Sequence, residues 1–138
     1  MILHWTRLPA IIALFLIVAV CAMEAAEAKQ TLVEVWCGAS DDVFTAGLRD
    51  ALENAFNSSA DFSLSFGKKP DTLIVLIPEG VKWNRVGKKT QVFYTVKFLS
   101  VDNKLIEVTT GSCWDDKLAK CAAKIVKNAR VAVRKNQN

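Results

Sequence analysis

Two cysteines, a tryptophan and two adjacent aspartates fall within "GSCWDDKLAKC", Gly111 to Cys121, the richest potential chemistry in the chain. A thiol pair can bind a metal, cycle between dithiol and disulfide, or form a structural bridge. Redox sites favour Cys-x-x-Cys with a thiolate at a helix N-terminus, whereas seven residues separate Cys113 from Cys121. A metal site needs about four ligands, and the neighbouring Asp115 and Asp116 face different ways. The spacing therefore predicts a structural disulfide, Cys113 to Cys121, between the end of a strand and the following helix, with no metal and no catalytic residue. At the first turn of that helix, carboxylates meet unpaired amides and the positive end of the dipole. Asp41 and Asp42 occupy the same place in an earlier helix.

Cys37 is the odd thiol. It lies on the strand face shared with Val33 and Val35, which predicts a buried, inert cysteine; a disulfide-linked dimer through Cys37 is the functional alternative. The single histidine, His4, lies within the first 28 residues. Beyond it, Ser-His-Asp and Cys-His nucleophile pairs and histidine-based zinc sites are excluded. No cofactor motif is present.

Those first residues, "MILHWTRLPAIIALFLIVAVCAMEAAEA", follow the three-part grammar of a secretory signal peptide: a short head with Arg7, an apolar run, and small residues ending at Ala28. The apolar stretch from Leu8 to Met23 is shorter than the roughly 20 residues that span a bilayer. Cleavage after Ala28 is expected, leaving no stable membrane span and one domain over residues 29–138. Export places the remaining cysteines in an oxidising compartment, periplasmic or extracellular, where disulfides form.

Of the 18 Lys and Arg and 14 Asp and Glu residues, Arg7, Glu24 and Glu27 lie in the leader, so the remainder carries a formal +5. The charge is uneven: acidic residues dominate up to Val81, basic residues from Lys82 onward. Such asymmetry marks either an anionic partner or complementarity between neighbouring elements.

"TLVEVW" has strand-forming residues, and Ser40-Asp41-Asp42 is a helix N-cap. A helix is expected over residues 41–57, with Phe44, Leu48, Leu52, Ala55 and Phe56 on one stripe. "DFSLSF" alternates Phe62, Leu64 and Phe66 inward. "TLIVLI" reads as a central strand covered on both faces, interrupted by Pro78-Glu79-Gly80 as a bulge. "VKWNRV" and "TQVFYTVKFLS" form a long hairpin turning at Gly87-Lys88. "KLIEVTT" returns after a turn at Asp102-Asn103 and ends near Gly111. A last helix is expected over residues 115–135, with Leu118, Ala122, Ile125 and Ala129 inward, and "KNQN" frayed. This order predicts an α+β fold: a mostly antiparallel sheet of four to five strands with two helices on one face.

With "FTAGLRDALENAF", "DTLIVLIPEGV", "TQVFYTVKFLSVDNKLIEV" and "DDKLAKCAAKIVKNA" in this order, the chain resembles the N-terminal domain of TolB. That fold also occurs in curli secretion proteins and in lipoprotein activators of cell-wall synthases. The resemblance is one of element order and apolar pattern over nearly the whole of residues 29–138. It implies a periplasmic module that binds other envelope proteins, and it carries over no catalytic residue.

The candidate binding site is "VKWNRVGKKTQ", where Lys82, Arg85, Lys88 and Lys89 surround Trp83. An exposed tryptophan among cations suits an anionic polymer, a lipid headgroup or an acidic protein surface. The alternative is that Trp83 packs on the sheet and the lysines discourage strand pairing. A nucleic-acid partner is not expected for an exported chain with no recognition motif. The expected function is non-enzymatic binding of an envelope protein or an anionic envelope component. Inhibition of a cell-wall hydrolase or toxin by an exported inhibitor or immunity protein is the competing expectation.

Overall fold

The computed structural model describes residues 29–38 and 42–138. The leader, and Ser40 and Asp41 of the expected cap, lie outside them. Strand β1 (Thr31–Cys37) is followed by helix α1 (Val43–Asn57). The helix begins two residues later than its periodicity suggests, because Asp42 is the N-cap and its carboxylate accepts from the Thr45 amide at 2.8 Å. Strands β2 (Phe62–Leu64), β3 (Leu73–Ile77), β4 (Lys82–Val86), β5 (Lys89–Leu99) and β6 (Leu105–Trp114) come next. A 3-10 turn (Asp115–Lys117) then leads into helix α2 (Leu118–Gln137).

The fold is α+β, as expected, but the sheet is mixed. β1 pairs in parallel with both β2 and β3, while β3, β4 and β6 are antiparallel to β5. Parallel pairing follows from the crossover: α1 returns the chain to the end of the sheet where β1 began, so β2 runs in the same direction. β3 and β4 both lie along the same side of β5, β3 against Lys97 to Leu99 and β4 against Lys89 to Phe93. Pro78-Glu79-Gly80 thus separates two parts of one strand line.

One face of the sheet is the core. Val33, Leu73, Val75, Ile77, Val92, Tyr94, Val96 and Phe98 form a single cluster with Leu48, Leu52 and Phe56 of α1 and Ala122, Ile125, Ala129 and Ala132 of α2. Short alanines let α2 approach closely, while Phe56 meets Phe62 edge-on at 5.0 Å between ring centroids. β3 is buried on both faces, Ile74 included. Gly111, expected at the end of a strand, lies inside β6 opposite Tyr94; a Cβ there would sit 2.4 Å from the Tyr94 hydroxyl oxygen. The missing side chain is what admits the tyrosine.

Three expectations change. Phe66 points to solvent and Ser65 is buried. β2 stops at Leu64, and the Ser65 amide donates to the Val33 carbonyl before the chain turns through Gly67 and Lys68, both at positive φ. Lys135, Asn136 and Gln137 are helical rather than frayed; the Lys135 ammonium is paired with the Glu107 carboxylate. Asp115 and Asp116 do not cap α2, which has no side-chain cap. Instead Asp115 accepts from the Thr90 amide at 3.3 Å, anchoring the 3-10 turn to the start of β5.

Asp61, just before β2, receives two hydrogen bonds from the Arg130 guanidinium of α2, at 2.8 and 3.2 Å. The Arg130 bonds, then the Ser59 hydroxyl, hold its carboxyl down at about 2. A depressed carboxyl contributes stability above its unfolded pKa of about 3.9 and loses it as pH falls through the folded value. Both side chains are about half exposed, so solvent screening limits the pair to roughly 0.5–1 kcal/mol. Urea titrations of Asp61→Asn should therefore show a deficit of that size at pH 6 that closes between about pH 4 and pH 2.

Candidate functional site: the β4–β5 hairpin

Two anchors set the base of the hairpin. The Thr45 hydroxyl donates to Asp42 at 2.6 Å and accepts from the Val81 amide at 3.0 Å, so the N-terminal turn of α1 holds the residue just before β4. Thr45 is 1% exposed, and its bond to Val81 is a buried constraint. Beside it, Phe44 of α1 meets the Trp83 ring at 5.3 Å. At the other end Gly87 takes a positive φ of 64° and closes the two-residue turn with Lys88.

All five β4 residues are exposed, yet the five predicted site residues do not form one patch. Alternation divides them. Trp83 and Arg85 pair with Val92 and Thr90 on the helix side of the sheet. Lys82 and Lys89 lie on the opposite, uncovered side, and Lys88 is at the tip. Trp83 is both packed and open: it rests on Phe44 and keeps 50% of its surface exposed.

The uncovered side carries residues that the sequence reading passed over. Val86, Phe93, Val108 and Trp114 are exposed there, with Lys89 5.9 Å above the Trp114 ring and 3.7 Å from Asp116. Their signal lay in the alternation of β5: with Val92, Tyr94 and Val96 inward, Phe93 must face out. Farther across, Lys68 lies 4.6 Å over Trp36. The Trp36 side chain, and then the Lys68 amide, lower the Glu34 carboxyl. The hairpin thus carries Trp83 and Arg85 together on its helix side and Lys89 over the Trp114 ring on its uncovered side.

The remaining candidates have structural surroundings. Cys113 and Cys121 are joined, with their Cα atoms 5.9 Å apart. The bridge clamps the first turn of α2 to β6. Replacing both by serine should cost about 2 kcal/mol by loop entropy, measured as a lower urea midpoint. Cys37 is free and partly buried, and burial pushes its thiol pKa up. Among the described residues, no group of three or more His, Cys, Asp or Glu is placed to hold a metal ion. No described helix is long and apolar enough to cross a membrane. At the end of the sheet away from the hairpin, a cleft of about 620 Å³ opens between Lys29, Asp71, Asp102 and Lys104, with neither sign of charge in excess.

No protein-family model and no curated protein matches this sequence. Solved structures do. A minor lipoprotein from Acinetobacter baumannii aligns with a TM-score of 0.53 at 10% identity, covering 70% of this chain and 88% of that one. A Xanthomonas campestris protein assigned to the DUF330 family aligns with a TM-score of 0.56 at 9% identity, covering 80% and 90%. The likeness is one of fold alone. The PelC dodecamer from Paraburkholderia phytofirmans aligns at 14% identity with a TM-score of 0.49, covering 78% and 89%.

Proposed function

We propose that this chain is a small exported, non-enzymatic binding module that contacts an envelope protein or an anionic envelope component through the β4–β5 hairpin. The observation that carries the reading is β4 itself. All five of its residues are exposed, Lys82, Trp83 and Arg85 among them, and its base is held by the Thr45–Val81 bond, so its side chains are presented with little ordering cost on binding. The leader-like first 28 residues support export. Likeness to a protein described as a minor lipoprotein supports an envelope setting, as does the resemblance to the TolB N-terminal domain. The partial burial and raised pKa of Cys37 favour an inert thiol over a disulfide-linked dimer.

One observation favours inhibition of a cell-wall hydrolase or toxin as a second reading. Pairing of β6 with β5 stops at Gln91 and the 3-10 turn reaches only Thr90 and Lys89, so the Gly87-Lys88 turn stands past both and is shaped to enter a cleft.

Crosslinking in the native envelope followed by mass spectrometry identifies the partner. In a pull-down, Trp83→Ala with Lys88→Glu and Lys89→Glu should then cut retention of that partner about tenfold or more. Arg85→Glu with Lys88→Glu keeps the Trp83–Phe44 contact and separates lost binding from lost folding. Retention at the parental level by both variants would sink the hairpin assignment.

A further inference from the structure

Among the described residues the long free edge of the sheet is β6, which pairs with β5 on one side and with no strand on the other. Edge strands are normally blunted by shortness, lysine, proline or bulges, because a row of unpaired N–H and C=O groups recruits another chain. The opposite edge, β2, is three residues long, and the edge formed by β4 carries Lys82 and Arg85. β6 runs for 10 residues, "LIEVTTGSCW", without lysine or proline; its one irregularity, a register shift at Ile106, lies near its start and leaves Glu107 to Trp114 regular. Its one charge, Glu107, is taken up by Lys135 of α2.

Helix α2 runs alongside this edge. Cys121 is bonded to Cys113, the Asn128 amide donates to the Thr109 hydroxyl at 2.7 Å, and Lys135 pairs with Glu107. These contacts, seven residues apart on the helix, define the row of α2 that borders β6. Helical spacing puts Lys124 in that row, between Cys121 and Asn128, and Lys117 precedes Cys121 by one turn. Both lysines are exposed, and neither is among the ion pairs of the described residues. On the other side of the same strand, Val108 and Trp114 are 41% and 36% exposed.

We infer that the β6 edge accepts an extended acidic segment of a protein partner by strand addition. Main-chain hydrogen bonds would supply affinity, and alternate side chains specificity. Carboxylates on one face of the incoming strand meet Lys117 and Lys124, and apolar side chains on the other meet Val108 and Trp114. The disulfide holds the edge in place, so little ordering is needed. A second copy of this chain is a poor occupant. On the helix side of β6, the Glu107 carboxylate is already taken by Lys135 of the same chain, Thr109, Gly111 and Cys113 carry none, and two-fold pairing sets one lysine row against the other. Trp114 borders both surfaces, but the β6 edge rests on the main chain of β6 and on Lys117 and Lys124, and the hairpin on Trp83, Arg85 and Lys88, so either assignment can fail without the other.

The test uses the exported chain and two ten-residue peptides, one alternating Glu with Val and Thr, the other with Lys in place of Glu. Amide hydrogen exchange, read residue by residue, should slow about tenfold or more at the outward-facing amides of Leu105 to Trp114 with the acidic peptide, and not with the basic one. Lys117→Glu with Lys124→Glu should reverse that preference, a gain of binding that misfolding cannot mimic. The inference is overturned by absence of protection at millimolar acidic peptide, by equal protection from both peptides, or by protection confined to β4. A doubled mass in light scattering with β6 already protected in the chain alone also overturns it, because the edge then belongs to a second copy.

Discussion

Phe56→Ala should lower the unfolding free energy by about 3–5 kcal/mol, the largest single loss expected in this chain. Phe56 is fully buried at the end of α1, where it closes the core between α1 and β2 and meets Phe62 edge to face. Alanine removes the ring's transfer free energy and leaves a cavity. It also strips a neighbour from Phe62, whose ring lies 5.9 Å from the Arg130 guanidinium. A small domain has roughly 5–15 kcal/mol in all, so the variant should be partly unfolded at 37 °C. Phe56→Leu keeps most of the volume and should cost less than half as much. Urea titrations of the two variants check this; a Phe56→Ala loss below about 1.5 kcal/mol would mean that the core here is not closed as described.

Gly38→Ala should cost about 2–3 kcal/mol, although it adds a single methyl group. The Gly38 amide donates to the Ile77 carbonyl at 2.8 Å as β1 ends beside β3. A Cβ at Gly38 would lie 1.8 Å from the Pro78 carbonyl oxygen. That obstacle is backbone, not the end of a flexible side chain, so the interruption at Pro78-Glu79-Gly80 has to move. Because that segment leads into β4, the hairpin should shift as well. The expected signature is a lowered thermal midpoint together with altered Trp83 fluorescence, while Gly67→Ala, where an added Cβ meets nothing within 4 Å, pays only its backbone strain at φ +82°. Equal effects of the two substitutions would remove the close approach as the cause.

What could be read along the chain were the features carried by local patterns. The α1 stripe of Leu48, Leu52 and Phe56, the two-faced apolar run of β3 and the turn at Gly87 each depend on residues within about one turn or one strand of each other. Cys113 and Cys121 belong here too, because eight positions of chain keep them close whatever the rest does. The parallel placement of β1 between β2 and β3 depends instead on which strands meet across a crossover, and alternation within a strand does not encode its neighbour. Phe66 shows the limit plainly. Its spacing from Phe62 and Leu64 marks an inward position, but β2 has only β1 to pair with and ends at Leu64.

The candidate site divides the same way. Lysines and a tryptophan around one turn were visible as a cluster, since a hairpin keeps sequence neighbours near one another. Their separation onto two faces, the seating of Trp83 on Phe44, and the meeting of Lys89 with Trp114 required strands and helices distant in sequence to be brought together. Lys117 and Lys124 were legible only as part of the basic excess after Lys82; beside β6 they border a strand edge left unpaired among the described residues. Composition and short-range periodicity establish which groups are available and in what local order. Long-range packing alone establishes which of them share a surface, because that depends on contacts whose free energy is realised only once the whole core has closed.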